Sequence, residues 1–386
     1  MPPMSKALML SYWNVNDPAF GGGRRINALI DALAGRVLLC QPGAPHDACE
    51  TAVYKTDFGR RKRGINWGMF NFFWPANAAC VGRLVTERAP PVIIMTSMWN
   101  YHPLRRVIET PIVLDAHDVN AVAVGERMGV RHPFTRMVRS WEARVVRAVD
   151  HLFACSERDR EQFIALYDLP PERVTVVPNG VYVTRHEPPA VGTDDRLPDD
   201  LERSLKDATV LMFMGKLDYQ PNVEALTFLN EKVMPALEQI RPNGFRLLVC
   251  GGPRPDRMLH PSVIPAGVLS TARLMAALRR ADICLAPISS GSGTRLKILE
   301  YMASAKPVVT TAKGAEGIDA QPDRDWIVAD PSEFAERIVD LTHHPERAAR
   351  MGAAARVFVT QRYDWKTRIA PRWQRVLAQW MPPVAV

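Results

Sequence analysis

A glycine-rich turn followed by charged residues at helical spacing runs from Ser289 to Thr311. Gly291 and Gly293 let a backbone approach a ligand closely, and the N–H groups at the start of the following helix favour an anion such as phosphate. Lys297 and Glu300 are three residues apart and therefore share one helix face. A cation near the turn and a carboxylate one turn deeper fit a nucleoside diphosphate, whose ribose offers two vicinal hydroxyls. An ordinary surface ion pair accounts for the same spacing equally well.

Three further turns place similar residues after predicted strands. The first is Gly-Gly-Gly-Arg-Arg at 21–25, a second candidate phosphate cradle, for which a flexible turn is the alternative. The second is His117-Asp118, a candidate site pair or a structural histidine with its neighbour. The third is Gly215-Lys216. Loops at the carboxyl ends of parallel strands meet at one sheet edge, so these turns could converge on one ligand.

The elements that must position these turns are short apolar runs separated by helical patterns. Such runs are typical of strands buried on both faces of a parallel sheet. The first round of predicted strands comprises Lys6–Tyr12, Arg36–Cys40, Pro91–Met95, Pro111–Asp115, Asp150–Cys155 and Val174–Val177. The second comprises Thr209–Met214, Phe245–Cys250, Asp282–Pro287 and Pro307–Thr311, with a short strand or loop at Gly267–Leu269. Helices are expected from about Arg24 to Leu33, Pro133 to Val149 and Ala272 to Arg280.

Composition limits what the chain can be. Its 386 residues suffice for two domains, and the formal charge of +8, with pI ≈ 9.3, points to acidic partners such as nucleotides, anionic lipid or nucleic acid. The six cysteines are scattered without a C-x-x-C motif, as in a reducing compartment. The first residues lack the apolar run of a signal peptide, and no 18-residue apolar span occurs. We therefore expect a cytoplasmic protein.

Residues 58–74 place four cations directly before five aromatic residues. This mixture favours an anionic membrane surface, with rings at the headgroup level and cations on the lipid charge. It also suits single-stranded nucleic acid, and a core helix at about 67–87 behind a solvated basic loop is the structural alternative. The membrane-surface candidates are Arg60, Arg61, Lys62, Arg63, Trp67, Phe70 and Trp74.

The motifs of the second half follow the order Gly215-Lys216, Gly251-Gly252, Gly291-x-Gly293, Leu299-Glu300 and Gly314-Ala-Glu-Gly317. With His117-Asp118 and Pro178-Asn-Gly-Val181 upstream, this order resembles glycosyltransferase family 4 (group 1), retaining enzymes of GT-B fold. The resemblance spans most of the chain and is loose from about 41 to 110. It implies an α/β fold with two Rossmann-like domains facing across a cleft.

The resemblance also implies a division of the chain. Residues 1–183 would form the acceptor-binding domain, 184–206 a linker rich in Pro and Asp, and 207–364 the nucleotide-sugar-binding domain. Residues 365–386 would form a C-terminal helix that crosses back to the N-terminal domain.

Site residues follow from the same resemblance. It places Glu300 on the donor ribose, Lys216 on the diphosphate where the family usually has Arg, and His117 beside the donor sugar. The chain departs from the pattern in two places: Ser292 stands where the first Glu of E-x7-E belongs, and Pro221 and Asn222 stand where the family usually has a lysine. We expect Arg295 or Lys297 to supply the missing charge. The remaining donor-binding candidates are Gly22, Gly23, Asp118, Gly215, Gly251, Val268, Gly293 and Thr294.

The implied activity is retaining transfer of a sugar from a UDP- or GDP-linked donor to a glycan, polyprenyl-linked or small-molecule acceptor, in cell-surface polysaccharide or glycoconjugate synthesis. Fixed cations can stabilise the leaving phosphate, so we expect no cofactor, no required metal and no nucleic-acid partner. Two alternatives stay open. One is a hydrolysing nucleotide-sugar epimerase of the same fold, and the other is a non-catalytic peripheral membrane protein.

Overall fold

The structure, a computed structural model, describes residues 6–16, 21–54, 75–106, 109–187, 196–254, 258–291 and 293–381. The chain forms two compact units, the first comprising Met1–Asn179 with Ile369–Val386 and the second Gly180–Arg368. Each unit is built on one parallel sheet covered by helices, which confirms the predicted α/β fold with two Rossmann-like domains.

The first unit contains a seven-stranded parallel sheet in the order β3-β2-β1-β4-β5-β6-β7. Its strands are β1 (Ala7–Leu10), β2 (Val37–Pro42), β3 (Glu50–Tyr54), β4 (Ile93–Met95), β5 (Ile112–Asp115), β6 (His151–Ala154) and β7 (Val174–Val176). The pattern of apolar runs does not predict β3. It is an edge strand in which only Tyr54 is buried, so it lacks the apolar run that marks the inner strands.

Helices lie between successive strands along the chain, as in a Rossmann-like fold. They are α1 (Gly21–Ala32), α2 (Pro75–Arg88), α3 (Asn120–Met128), α4 (Pro133–Ala148) and α5 (Glu157–Tyr167). Short 3₁₀ segments lie at Met98–Arg106 and Pro171–Arg173. Local sequence sets several of these bounds. Pro133 begins α4, and the Ser156 hydroxyl caps α5 by accepting from the Asp159 N–H.

The second unit contains a six-stranded parallel sheet in the order β10-β9-β8-β11-β12-β13. Its strands are β8 (Thr209–Met214), β9 (Phe245–Cys250), β10 (Val263–Gly267), β11 (Ile283–Ala286), β12 (Val308–Thr310) and β13 (Ile327–Val328). The α-helices are α6 (Asp199–Ser204), α7 (Gln220–Phe228), α8 (Met234–Ile240), α9 (Thr271–Arg280), α10 (Leu296–Ala303), α11 (Ala312–Ala315), α12 (Phe334–His343) and α13 (Pro345–Arg362). A π-helical turn, Leu229–Val233, joins α7 to α8, and 3₁₀ turns lie at Val183–His186 and Pro331–Glu333.

The order of the second sheet reverses between β8 and β11. The chain passes from β8 outward through β9 to β10, then returns to place β11 on the other side of β8, with Ile283 opposite Leu211. The carboxyl ends of β8 and β11 are therefore neighbours. Such a switch point is where open parallel sheets leave a crevice for a ligand.

Two segments differ from simple connectors. The range 184–206, expected as a linker, contains α6, and Leu197, Leu201 and Leu205 are buried in the core of the second unit. At the other end, a π-helical turn at Trp365–Ile369 leads into α14 (Ala370–Leu377), where Gln374 donates to the Ala32 carbonyl of α1 at 2.7 Å.

Among the described residues, no helix combines the length and the apolar character needed to cross a membrane. The seven membrane-surface candidates between Arg60 and Trp74 lie outside the described residues. The membrane-surface interpretation of 58–74 stays a prediction.

Candidate functional site

The turns after β8 and β9 pack backbone against backbone. The Gly215 N–H donates to the Cys250 carbonyl at 3.0 Å, and the Leu217 N–H donates to the Gly252 carbonyl at 2.7 Å. Gly251 has φ 134°, and a Cβ on it would lie 1.9 Å from the Gly215 carbonyl oxygen. Only glycine permits this approach. Two of the predicted donor-binding glycines, Gly215 and Gly251, are thus brought into contact at the sheet edge.

The loop after β11 is held from two sides. Glu224 of α7 accepts hydrogen bonds from the Ser289 hydroxyl at 2.9 Å and the Ser290 hydroxyl at 2.5 Å. From the other side, the buried Arg295 guanidinium donates to the Gly291 carbonyl at 2.7 Å and the Gly293 carbonyl at 2.9 Å. These contacts hold the described part of the loop from both sides and direct the Arg295 side chain to its backbone.

A polar group on the same loop has no hydrogen-bond partner in the described part of the chain. The Thr294 hydroxyl is buried, yet it makes no hydrogen bond to any described residue. Helix α10 begins two residues later with Arg295 as its N-cap residue, so Thr294 does not cap it. Ser292, the other hydroxyl expected here, lies outside the described residues.

Lys297 lies in the first turn of α10 and reaches back to the turn after β8. Its Nζ is 2.6 Å from Asn222 Oδ1 and 4.2 Å from the centroid of the Phe213 ring. The Asn222 amide donates in turn to the Lys216 carbonyl at 2.8 Å. Burial, assisted by the positive charge of Arg295, lowers the pKa of Lys297 to about 7. The two strand-edge turns of the switch point are therefore joined by one amide and one buried amine.

Lys216 is the more exposed cation of this region. Its side chain is 35% exposed, and its Nζ lies 4.0 Å from Asp218 Oδ1. A lysine in this setting is free to turn toward a ligand because a long contact to a half-exposed carboxylate restrains it weakly.

Glu300 lies one helical turn after Lys297. Its Oε2 is 2.8 Å from His186 Nε2, and the opposite ring nitrogen of His186 is 2.6 Å from the Ser304 hydroxyl. Lys297 and Glu300 thus bond to different residues instead of forming the surface ion pair considered from their spacing. His186 was not predicted as a site residue, because it lies 114 positions from Glu300, in a segment interpreted as a linker.

The first unit presents a different group at the end of β5. The buried Asp115 carboxylate accepts from Arg25 Nε at 2.9 Å and Arg25 Nη2 at 2.6 Å, and His117 Nε2 lies 3.6 Å from it. Burial raises the pKa of Asp115, but the charge of Arg25 and the His117 ring outweigh burial and hold that pKa below its usual range. The His117 ring stacks on Trp13, with centroids 5.2 Å apart, and its Nε2 has no hydrogen-bond partner among the described residues.

The glycine run at 21–23 forms the first turn of α1 instead of a loop before it. Arg25, expected with these glycines in a phosphate cradle, is only 1% exposed. It also donates to the Val177 carbonyl and lies over the Trp373 ring of α14. The cradle interpretation is wrong for Arg25, because its guanidinium is a buried ion-pair partner in the core of the first unit. Gly22 and Gly23 remain at the helix start.

Two further predicted donor-binding residues, Asp118 and Val268, follow strand ends. Asp118 follows His117 directly, and its carbonyl accepts from the Asn120 amide. Val268 follows β10 and is 73% exposed, and its Cγ2 lies beside Gly252. Within the described ranges, no cluster of three or more His, Cys, Asp and Glu side chains is arranged to hold a metal ion. The expectation that no metal is required stays a prediction.

Two family models match the chain, one on each unit. The model described as "Glycosyl transferase 4-like domain" matches residues 20–180, and the model described as "Glycosyl transferases group 1" matches residues 208–344. The second match covers both strand-edge turns of the switch point and the whole of α10.

Curated relatives are identical to the chain at about a quarter of the aligned residues. A glycogen synthase of Mycobacterium tuberculosis is 27% identical over 304 residues, which are 74% of this chain and 68% of the relative. A D-inositol 3-phosphate glycosyltransferase of Corynebacterium kroppenstedtii is 26% identical over 284 residues, 68% of this chain and 60% of the relative. The chain thus spans less than two thirds of the length of the second relative.

Among solved structures, the HepE protein of Anabaena, in complex with UDP-glucose, superposes with a TM-score of 0.72 at 15% identity. The superposition covers 97% of this chain and 100% of that one. At this level of identity the likeness establishes the fold.

Proposed function

Because the chain belongs to the group 1 glycosyltransferases of GT-B fold, we propose that it transfers a sugar, with retention of anomeric configuration, from a UDP- or GDP-linked donor. One observation supports our proposal that the donor binds to the second unit. The turns after β8 and β11 meet at the switch point, where Asn222 joins the Lys216 turn to the Lys297 amine, with Glu300 one turn further along α10.

The roles of the residues follow from their chemistry. On this proposal Lys216 and Lys297 neutralise the diphosphate, and the Thr294 hydroxyl, which has no hydrogen-bond partner among the described residues, donates to it. Glu300 accepts from the two ribose hydroxyls. Arg295 keeps the glycine loop in shape, since its guanidinium is directed to loop carbonyls.

The reaction is dominated by electrostatics. As the bond between the anomeric carbon and the diphosphate breaks, negative charge grows on the leaving phosphate, where the positive charges of Lys216 and Lys297 stabilise it. The acceptor hydroxyl attacks the same face of the sugar, and its proton passes to the departing phosphate oxygen. Positive side chains at this position can take the place of a metal ion.

The proposal also covers the nucleobase of the donor and the acceptor of the sugar. UDP is the first choice for the donor nucleotide, because a solved structure of this fold holds UDP-glucose. The acceptor is a glycan, polyprenyl-linked or small-molecule hydroxyl in cell-surface glycoconjugate synthesis. We place the enzyme in the cytoplasm, at the membrane when the acceptor is lipid-linked.

Thermal-shift measurements with UDP, GDP, CDP and ADP, and then with their glucose and mannose conjugates, test the proposal. One nucleoside diphosphate should raise the melting temperature in a concentration-dependent way, since a ligand that binds only the folded state stabilises it. The stabilisation should persist in EDTA. Absence of any shift would refute the nucleotide-sugar site, and release of free sugar without an acceptor would favour the epimerase alternative.

A further inference from the structure

His186 is almost completely buried, and both of its ring nitrogens are engaged. Its side chain is 1% exposed and lies between the Glu300 carboxylate and the Ser304 hydroxyl, at opposite sides of the ring. We infer that His186 is a positioning residue that holds the Glu300 carboxylate in the orientation required by the two ribose hydroxyls, so that the site selects ribonucleotide over deoxyribonucleotide donors. The inference rests on the proposed donor site at Glu300.

The hydrogen-bond pattern assigns the ring proton. An ionised Glu300 carboxylate can only accept, so His186 Nε2 carries a proton and donates to Oε2; in a neutral imidazole Nδ1 then accepts from the Ser304 hydroxyl. Ser304 ends α10, one turn beyond Glu300 on the same helix. The helix thus presents both groups that bond to the His186 ring.

The backbone of His186, like its ring, is held by hydrogen bonds. His186 ends the 3₁₀ turn Val183–His186, and its carbonyl accepts from Arg356 Nη1 at 3.2 Å. The same guanidinium nitrogen donates to the Ala303 carbonyl of α10 at 2.8 Å. Arg356 of α13 therefore ties the turn that carries His186 to the helix that carries Glu300.

At the start of this segment the backbone is tied to the end of α13. The Val181 N–H donates to the Tyr363 carbonyl at 2.8 Å, and the Val183 N–H donates to Asp364 Oδ2 at 3.2 Å. A histidine held at so many points has little freedom to follow a moving carboxylate. It acts as a fixed donor that selects one orientation of Glu300.

A carboxylate held in place discriminates between ligands by their hydroxyls. A site built to accept from hydroxyl groups strongly disfavours an analogue that lacks them, because its buried acceptor is then left unpaired. When the fixed donor is removed, Glu300 can turn away, and the advantage of the hydroxylated ligand falls. We expect a loss of roughly tenfold, the size of one hydrogen bond to a charged group.

The experiment measures the affinities of UDP and GDP, each beside its 2′,3′-dideoxy analogue, by calorimetry. The wild type should bind the ribonucleotide more tightly, and His186→Ala should lose roughly tenfold in affinity for it while binding the dideoxy analogue as before. His186→Gln, which keeps an N–H donor near Nε2, should recover part of the loss. His151→Ala is the matched control: counted over the whole residue, His151 and His186 are each 8% exposed, but His151 bonds to Thr175 in the first unit.

The outcomes separate the inference from the proposal on which it rests. A wild type that binds both ligands equally, or an unchanged preference in Glu300→Gln, would refute the ribose site itself. Should Glu300→Gln lose the preference while His186→Ala keeps it, only the role of His186 fails. Equal weakening of both ligands in His186→Ala would also overturn it, because a merely structural histidine has no reason to distinguish them.

Discussion

The Lys297 ammonium group of α10 lies 2.6 Å from the Asn222 amide oxygen of α7, although the two residues are 75 positions apart. Residue 222 stands near the place where the family resemblance leads us to expect a lysine. A cation therefore lies at this place, but it comes from a different helix. Of the two residues considered for the missing charge, Arg295 is directed to the glycine loop and Lys297 to the turn after β8.

Replacing Lys297 with methionine should weaken donor binding by roughly ten- to a hundredfold, because a buried charged hydrogen bond to phosphate is lost. Calorimetry with UDP-glucose measures the effect. Lys313→Met is the control, since Lys313 lies on α11 and not on α10, and its Nζ pairs with Glu316 at the end of α11 at 2.9 Å. Equal affinity of the wild type and Lys297→Met would exclude Lys297 from the diphosphate site.

Donor affinity should fall as pH rises above neutrality. The pKa of Lys297 lies at about 7, so the free protein loses this positive charge in the range where a diphosphate still needs it. Each further pH unit should weaken binding by up to about tenfold, with uptake of a proton on binding. The measurement uses UDP-glucose between pH 6 and 9. Lys297→Met should show a flat profile, and a matching slope in that variant would assign the effect to another group.

Lys297 should also make the stability of the folded protein depend on pH. Burial holds the folded-state pKa of Lys297 at about 7, below the ordinary value of 10.5, so the unfolded chain binds more protons between these values. The contribution of this group to stability therefore rises with pH across that window and is least favourable below pH 7. From pH 6.5 to 9 the melting temperature of the wild type should therefore rise relative to that of Lys297→Met. A difference independent of pH would contradict the assignment.

Gly251→Ala should destabilise the second unit by about 3 kcal/mol or more, because the new methyl group would overlap the Gly215 carbonyl and the backbone φ of 134° disfavours alanine. Melting curves with and without UDP report the loss. Gly82→Ala in α2 is the control, since a Cβ there meets no atom within 4 Å and alanine favours a helix. Similar melting temperatures for the two variants would show that the turn can relax.

Arg25→Met should cost the first unit about 3–5 kcal/mol, because it leaves the buried Asp115 carboxylate without its cation. Adding Asp115→Asn should restore part of that stability by removing the stranded charge. Urea unfolding followed by tryptophan fluorescence compares the single and double variants. Full stability of Arg25→Met would mean that the guanidinium is not needed in the core and would reopen the phosphate-cradle interpretation.

The inner strands of both sheets were predictable from sequence, because each is a short apolar run bounded by turn residues. The edge strands β3 and β13 were not, since one is mostly exposed and the other has two residues. The family was predictable from the order of its motifs, and the family models confirm it. The donor sugar, the acceptor and the roles of the site residues stay predictions.

The sequence by itself determined the α/β alternation, the glycine turns at strand ends and the cation–carboxylate spacing within α10, because these depend on neighbours along the chain. Only the tertiary structure decided which residues meet those groups. It paired Glu300 with His186 and Lys297 with Asn222, and it turned Arg25 into the core. Each of these contacts joins residues that are 75 to 114 positions apart, and no local periodicity encodes such a distance. The crossover that sets β11 beside β8 produces the contact at the site's centre, since it brings α10 against the turn after β8.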